Sequence, residues 1–501
     1  MSGESLLALD LGTTSARCLA VDAGGRIQAR AQRPLSARYP QPGWSEFDPE
    51  EVLARCEEVL REALAAARLT ARDLAGIGIV TQRASALAWD ARTLRPLALA
   101  QSWQDQRTGE RVAEFRKLGI PLTTLASAPK FEWWLSRDDA VRAAARERRL
   151  RLGTPDSWLA ARLASGAPHV TDPGNASCTA LFDSGKGEWA QGLLDLFGVP
   201  RESLAALCPT SGPIGETRAD LLGAPVPIAA LAGDQQASAF AQGVHAPGDA
   251  KLTLGSSAML DVHTGAAPAS QSVPGAYPLA LWTLADGDRA FCLEGTVVTA
   301  GSAVEWLAGL LGRDAVELSR LAAATASSAG VRFLPALAGL GTPFLDDTAR
   351  GAFLGLSRGA GPGELARALF EGVAQRCADV CEALPLGGGP LRVDGGLAQS
   401  EVLLGALADL TGREILRAAE VEATALGAAS RAATGRERAR RRARELAACT
   451  RGRPRAQLAR MTRNPARGKC TTTSPTSGAL RRIAISFADE RTSSPATGSR
   501  P

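Results

Sequence analysis

The chain has 501 residues, 45% hydrophobic and 22% charged, the balance of a globular protein with too much sequence for one hydrophobic core, so two domains are expected. The net charge of +5 belongs to the end of the chain: from Arg436 onward 17 Lys/Arg stand against 4 Asp/Glu, a surplus of +13 that leaves −8 for residues 1–435 and makes no case for nucleic acid. Nine cysteines without paired CxxC spacing and three histidines (His169, His245, His263) argue against a zinc site, and no long apolar run or basic-then-apolar leader marks a membrane span, so a reduced, cytoplasmic protein is expected.

Residues 6–22 (LLALDLGTTSARCLAVD) read as a strand, a Gly-Thr-Thr-Ser turn and a second strand; 23–26 (AGGR) turn again and 27–35 form a third strand. In 49–66 the apolar positions Val52, Leu53, Cys56, Val59, Leu60 and Leu64 recur at helical spacing, and the strand 77–80 (IGIV) follows. Near the far end a similar unit recurs: strand and glycine turn at 391–397 (LRVDGGL), helix over 400–410, strand around 414–416. Strand and helix thus alternate as in an α/β protein, and a duplicated fold is expected. Cys377 and Cys381, one helical turn apart, read as small apolar helix residues. Beyond 435 the chain turns Arg-rich and then Ser/Thr/Pro/Gly-rich, too poor in apolar periodicity to offset its ordering entropy, so 436–501 is expected to be a disordered tail; a basic arm or a reading-frame error would give the same composition.

Three turns carry chemistry. Asp10, Thr13, Thr14 and Arg17 bring a carboxylate, two hydroxyls and a cation to the first hairpin around Gly12, the parts needed to hold phosphoryl oxygens and a magnesium ion, although a plain hairpin turn would use the same residues. In 252–260 (LTLGSSAML) a second strand–glycine–hydroxyl turn presents Gly255 and Ser256, and 394–396 is a third glycine turn with an acidic lead. Within 228–240 (IAALAGDQQASAF), Asp234 falls between an apolar strand and a helix, where it serves either as a helix cap or, with Gln235, as a group accepting a hydroxyl proton in a cleft. Three such turns with Asp10 are best explained by a nucleotide clamped between two domains.

The first hairpin, 233–236 (GDQQ), 293–301 (LEGTVVTAG), 335–343 (PALAGLGTP), 350–358 (RGAFLGLSR), 392–396 (RVDGG) and 422–429 (EATALGAA) together resemble the FGGY family of carbohydrate kinases, in that family's order and across residues 5–435, with glycerol kinases nearest. The resemblance implies two ribonuclease-H-like domains of the actin superfamily around a central cleft, here 1–243 and 244–435, with ATP and Mg2+ as cofactors. It implies Asp10 as the magnesium-associated carboxylate, Thr13, Thr14 and Arg17 as the first phosphate loop, and Gly255 with Ser256 as the second. Gly301 and Glu305 match nucleotide-contact positions, with Glu305 in place of the usual Gln; Gly396 and Ser400 match the adenine-side turn, with Ser400 in place of the usual Asn. For the acceptor it implies Arg83, Trp103, Asp234 as base and Gln235. Two hydroxyl-binding groups of glycerol kinases are replaced, by Ala84 and Leu125; at ~1–3 kcal/mol each, their loss weakens glycerol binding tens- to thousands-fold unless other groups compensate. Trp103 is expected to pack on the acceptor's carbon face, its alternative being core filling. Segments 171–177 (TDPGNAS) and 350–358 are expected to shape the cleft and the domain contact.

The expected reaction is in-line transfer of the γ-phosphoryl of ATP to a primary hydroxyl of a small polyol or sugar, glycerol or a relative, with a xylulose-, ribulose- or gluconate-type sugar as the alternative. The rival from another class is an actin-like ATPase with no small-molecule acceptor, and a third reading is a kinase disabled by its altered C-terminus. The partners expected are a small polyol or sugar and a possible second copy of the chain, without nucleic acid or membrane.

Overall fold

The computed structural model describes residues 5–418 and 459–461. Its first half begins with the antiparallel strands β1 (Ser5–Leu11), β2 (Ser15–Val21) and β3 (Ile27–Pro34). Helix α1 (Pro49–Ala66) follows, started by the Asp48 carboxylate, which accepts from the Glu50 N–H, and by Pro49 in the first turn, where no N–H is needed. Its apolar stripe, including Val52, Cys56, Val59 and Leu60, is buried against the sheet. Strand β4 (Leu74–Thr81) returns parallel to β1. The chain then leaves the sheet and builds a separate core around Phe115, Phe131, Trp134 and Phe197, a stretch that includes α2 (Ala128–Arg137) and α3 (Pro173–Ser177). It rejoins the sheet through β5 (Ser211–Glu216) and β6 (Pro227–Gly233), giving the order β5-β6-β4-β1-β2-β3. Strands β4 and β6, parallel and covered on both faces, are apolar almost throughout instead of alternating.

Helix α4 (Asp234–Ala241) leads to the second half, which repeats the plan. Strands β7 (Ala250–Leu254), β8 (Ala258–Gly265) and β10 (Arg289–Val297) are antiparallel, with β9 (Ala276–Thr283) outside β10. After α5 (Gly301–Leu310) and the long α6 (Pro362–Ala383), β11 (Leu391–Asp394) lies parallel to β7; after α7 (Glu401–Thr411), β12 (Ile415–Arg417) lies parallel to β11. Three antiparallel strands extended on the first strand's side by two parallel ones thus occur twice, the duplication expected from the strand–turn–helix patterns. Cys377 and Cys381 are buried, unbridged residues of α6.

Within 436–501, the segment expected to be a disordered tail, the described residues Ala459–Met461 form β13, antiparallel to β12 at the sheet edge. Composition alone overlooks that an edge strand offers unpaired backbone groups to any short segment able to extend beside it. The rest of that tail and the 422–429 motif lie outside the described residues.

The halves meet through α3, the start of β5 and α4 on one side and β9 on the other. Thr210 N–H donates to Thr283 O (2.7 Å), Ala280 N–H to Ser177 Oγ (3.2 Å) and Gln236 Nε2 to Ala280 O (3.2 Å). The 171–177 segment, capped by Asp172 at the start of α3, therefore lies in the domain contact.

Candidate active site

Each half presents a hairpin turn at the carboxyl end of its first strand. In the first, Asp10 and Arg17 face each other across β1 and β2, and Arg17 Nη2 donates to Asp10 Oδ2 at 2.7 Å. Gly12 N–H closes the turn onto Ser15 O (3.0 Å), Thr14 is exposed, and the Thr13 hydroxyl accepts from the Trp103 indole N–H at 2.9 Å. Trp103, expected to lie against an acceptor's carbon face, ties its own loop to the first hairpin turn.

In the second turn, Gly255 N–H donates to Ser257 O (2.9 Å), and the first residues of α5 are bound onto it. Gly301 N–H donates to Gly255 O (2.9 Å), and Ala300 and Ser302 N–H both donate to Ser256 O (3.1 and 3.0 Å). A Cβ at Gly301 would stand 2.6 Å from Gly255 O, so only glycine allows this approach. The third turn is equally close: Gly395, at φ +87°, rests on the end of β7, where a Cβ would meet Leu254 O at 2.5 Å, while the space beside Gly396 is open. Glu305 lies on the exposed side of α5, one turn beyond Gly301. Ser400 is buried and caps α7, its hydroxyl accepting from Leu403 N–H (3.4 Å), a structural task that the sequence did not reveal.

Asp234 is the first residue of α4, after a β strand whose last residue, Gly233, is needed because a Cβ there would strike Arg83 Cγ and Cδ at 2.8 Å. Arg83 follows β4, in a tight turn completed by Ala84 at φ +61°, and its Nε lies 3.4 Å from Asp234 Oδ1. Arg83 Nη2 donates to Glu294 Oε2 of β10 at 2.7 Å, so this cation is gripped from the opposite domain. Burial raises the Asp234 pKa above the usual carboxylate range, while Arg83, the Gln235 N–H and Lys251 pull it down. Gln235 turns away from Asp234: its Oε1 accepts from Lys251 Nζ (2.7 Å) and Thr253 Oγ1 (2.8 Å). Lys251 Nζ lies 3.9 Å from both Asp261 Oδ2 and Asp394 Oδ2. Asp394, leading the third turn, accepts from Ser238 Oγ (2.5 Å) of α4 and from Nε2 (2.6 Å) of Gln242, the residue that caps α4, with its Oδ1 buried and unbonded.

A chain of polar groups thus links Arg83 and Asp234 to the third glycine turn through the domain contact. Glu294, Lys251 and Asp261 were not singled out from the sequence, although a signal existed: each charge interrupts an otherwise apolar strand. Asp10 and its neighbours fit a magnesium ion that arrives with nucleotide. Asp10 is recessed, the Arg17 Nε is buried without a partner, and the turn supplies hydroxyls. Among the described residues no three His, Cys, Asp or Glu side chains converge as a cage.

Two copies of this sheet, each with a glycine–hydroxyl turn after its first strand, and a carboxylate–cation pair beside the domain contact define a nucleotide-dependent phosphotransferase of the actin-like class. The N-terminal domain model of the FGGY family of carbohydrate kinases matches residues 5–241 and the C-terminal domain model residues 250–435. A glycerol kinase of Aromatoleum aromaticum is 42% identical over 446 residues, covering 86% of this chain and 90% of that protein. Among solved structures, Plasmodium falciparum glycerol kinase with ADP superposes with a TM-score of 0.83 at 23% identity, covering 98% of this chain and 99% of that one. A Brucella ovis xyloylose kinase gives 0.81 at 26% identity, covering 98% of this chain and all of the other. The chain belongs to the FGGY family of carbohydrate kinases and is a polyol or sugar kinase. No described helix is long and apolar enough to cross a membrane.

Proposed function

We propose that the chain phosphorylates a primary hydroxyl of glycerol with ATP, Asp234 accepting the hydroxyl proton. The observation that carries this reading is the placement of Asp234 beside Arg83, at the start of a helix that borders the domain contact, with a carboxyl group that burial raises above its ordinary pKa. Arg83 orients the acceptor oxygens. Thr13, Thr14 and Arg17 from one domain and Gly255 and Ser256 from the other bind phosphate oxygens. Magnesium, held by Asp10 and the nucleotide, neutralises phosphate charge when bound. Such a transfer depends on placement more than on a strong base, and closure of the domains around the acceptor excludes the water that would otherwise hydrolyse ATP. The likeness to glycerol kinases over most of the chain favours glycerol as acceptor. Ala84 and Leu125, where those enzymes carry hydroxyl-binding groups, favour a second reading in which a xylulose-type sugar replaces glycerol.

The test is ADP release with Mg-ATP and glycerol, erythritol, xylitol, xylulose, ribulose or gluconate. The expected result is turnover with glycerol that drops about 10²- to 10⁴-fold in Asp234→Asn. Equal turnover in the variant overturns the base assignment, and release independent of any acceptor overturns the kinase reading.

A further inference from the structure

Behind the acceptor site, two carboxyl groups share one buried position. Asp261 of β8 and Glu294 of β10 are directly paired across the antiparallel ladder, both side chains buried, and their carboxyls are within hydrogen-bonding reach. Glu294 has a definite partner, since Arg83 Nη2 donates to its Oε2 at 2.7 Å. Asp261 has none of that quality: Lys251 Nζ is 3.9 Å away and already donates to Gln235, Cys292 Sγ is 3.8 Å from Oδ1, and Oδ2 receives no hydrogen bond. Arg83 from the loop after β4 completes the charged groups acting on Asp261, and Asp394 of β11 and Asp234 of α4 lie one residue further along the network. Two buried carboxylates side by side cannot both be charged cheaply, and the one whose cation partner is the more distant takes the proton.

We propose that Asp261 is a positioning residue for acceptor binding: its carboxyl group donates a hydrogen bond to Glu294 and so fixes the carboxylate that holds Arg83 at the acceptor site. The inference rests on the acceptor phosphorylation proposed above. Glu294 reaches Arg83 across the domain contact, so its orientation decides where the guanidinium points, and a second negative charge beside it would compete for Arg83 and Lys251. Burial, then the Glu294 charge, lifts the Asp261 pKa to about 7, while Lys251 and Arg83 oppose the shift. The raised value gives the sign: the donor is present below that pH and is lost as pH rises through it.

The experiment has a kinetic arm and a spectroscopic arm, both on the full chain. Asp261→Ala should raise the acceptor KM roughly tenfold and leave the ATP KM within about twofold, as loss of a hydrogen bond to a charged group on the acceptor side alone requires. Asp261→Asn, whose amide still donates, should recover most of that loss. The wild-type kcat/KM for the acceptor should fall as pH rises through about 7, and the Asn variant should lack that alkaline limb while keeping the acid limb set by Asp234. An unchanged acceptor KM in Asp261→Ala, or an Asn variant that keeps the alkaline limb, overturns the proposal. Infrared difference spectra of wild type minus Asp261→Asn at pH 6 should contain a protonated-carboxyl band that disappears by pH 8. Absence of the band overturns the proposal even if no polyol is phosphorylated, an outcome that would by itself overturn the acceptor reading instead.

Discussion

The two glycine–hydroxyl turns are built on equivalent strand pairs, one in each domain, and differ in what holds them. The first is fastened by side chains: Asp10 against Arg17 across the hairpin, and the Trp103 indole on Thr13. The second is fastened by backbone, with Ala300, Gly301 and Ser302 N–H groups laid onto the carbonyls of Gly255 and Ser256. A turn held by side chains depends on which groups are present, whereas a turn held by backbone depends on a side chain being absent. Chemistry-bearing residues therefore mark the first in the sequence, and glycines mark the second.

The largest effect should come from Gly301→Ala. The new Cβ, 2.6 Å from Gly255 O, must displace the turn, and overpacking of this kind costs about 1–3 kcal/mol. The ATP KM should rise about five- to 150-fold with the acceptor KM unchanged; steady-state kinetics with each substrate varied would show it, and a normal ATP KM would remove the distinction between the turns. Trp103→Phe keeps the ring and deletes the donor to Thr13, a net loss of about 0.5–1.5 kcal/mol. A matching drop in denaturant midpoint at unchanged m-value is expected. The smallest effect is expected for Gly12→Ala, whose Cβ would make an ordinary 3.5 Å contact with Ser15 O. Thermal unfolding should place it within about 0.5 kcal/mol of wild type, and a larger loss would mean that the first turn also requires a missing side chain.

Much of the frame was legible. The helix read over 49–66 ends where α1 ends, because an Asp-Pro start and a clean apolar stripe leave little choice. The strand before Asp234 and the glycine turn after β11 were readable for similar reasons. The 86–207 core was not, since its elements are short and its aromatic residues meet only in three dimensions. Ser400 was assigned to the nucleotide from its place in a motif, and nothing local separates that from the cap it forms. Lys251, Asp261 and Glu294 escaped because a charge within a strand ordinarily marks a solvent-facing side. Here the strands pack against the other domain, so both faces are covered.

The Arg83–Glu294 bond has a mechanical reading. One end belongs to the first domain and the other to the second, so parting the domains stretches the same bond that orients the Arg83 guanidinium. On the acceptor role proposed for Arg83, opening the cleft and dismantling the acceptor pocket would be a single motion, and an acceptor would find its complete binding surface only in a molecule that has already shut.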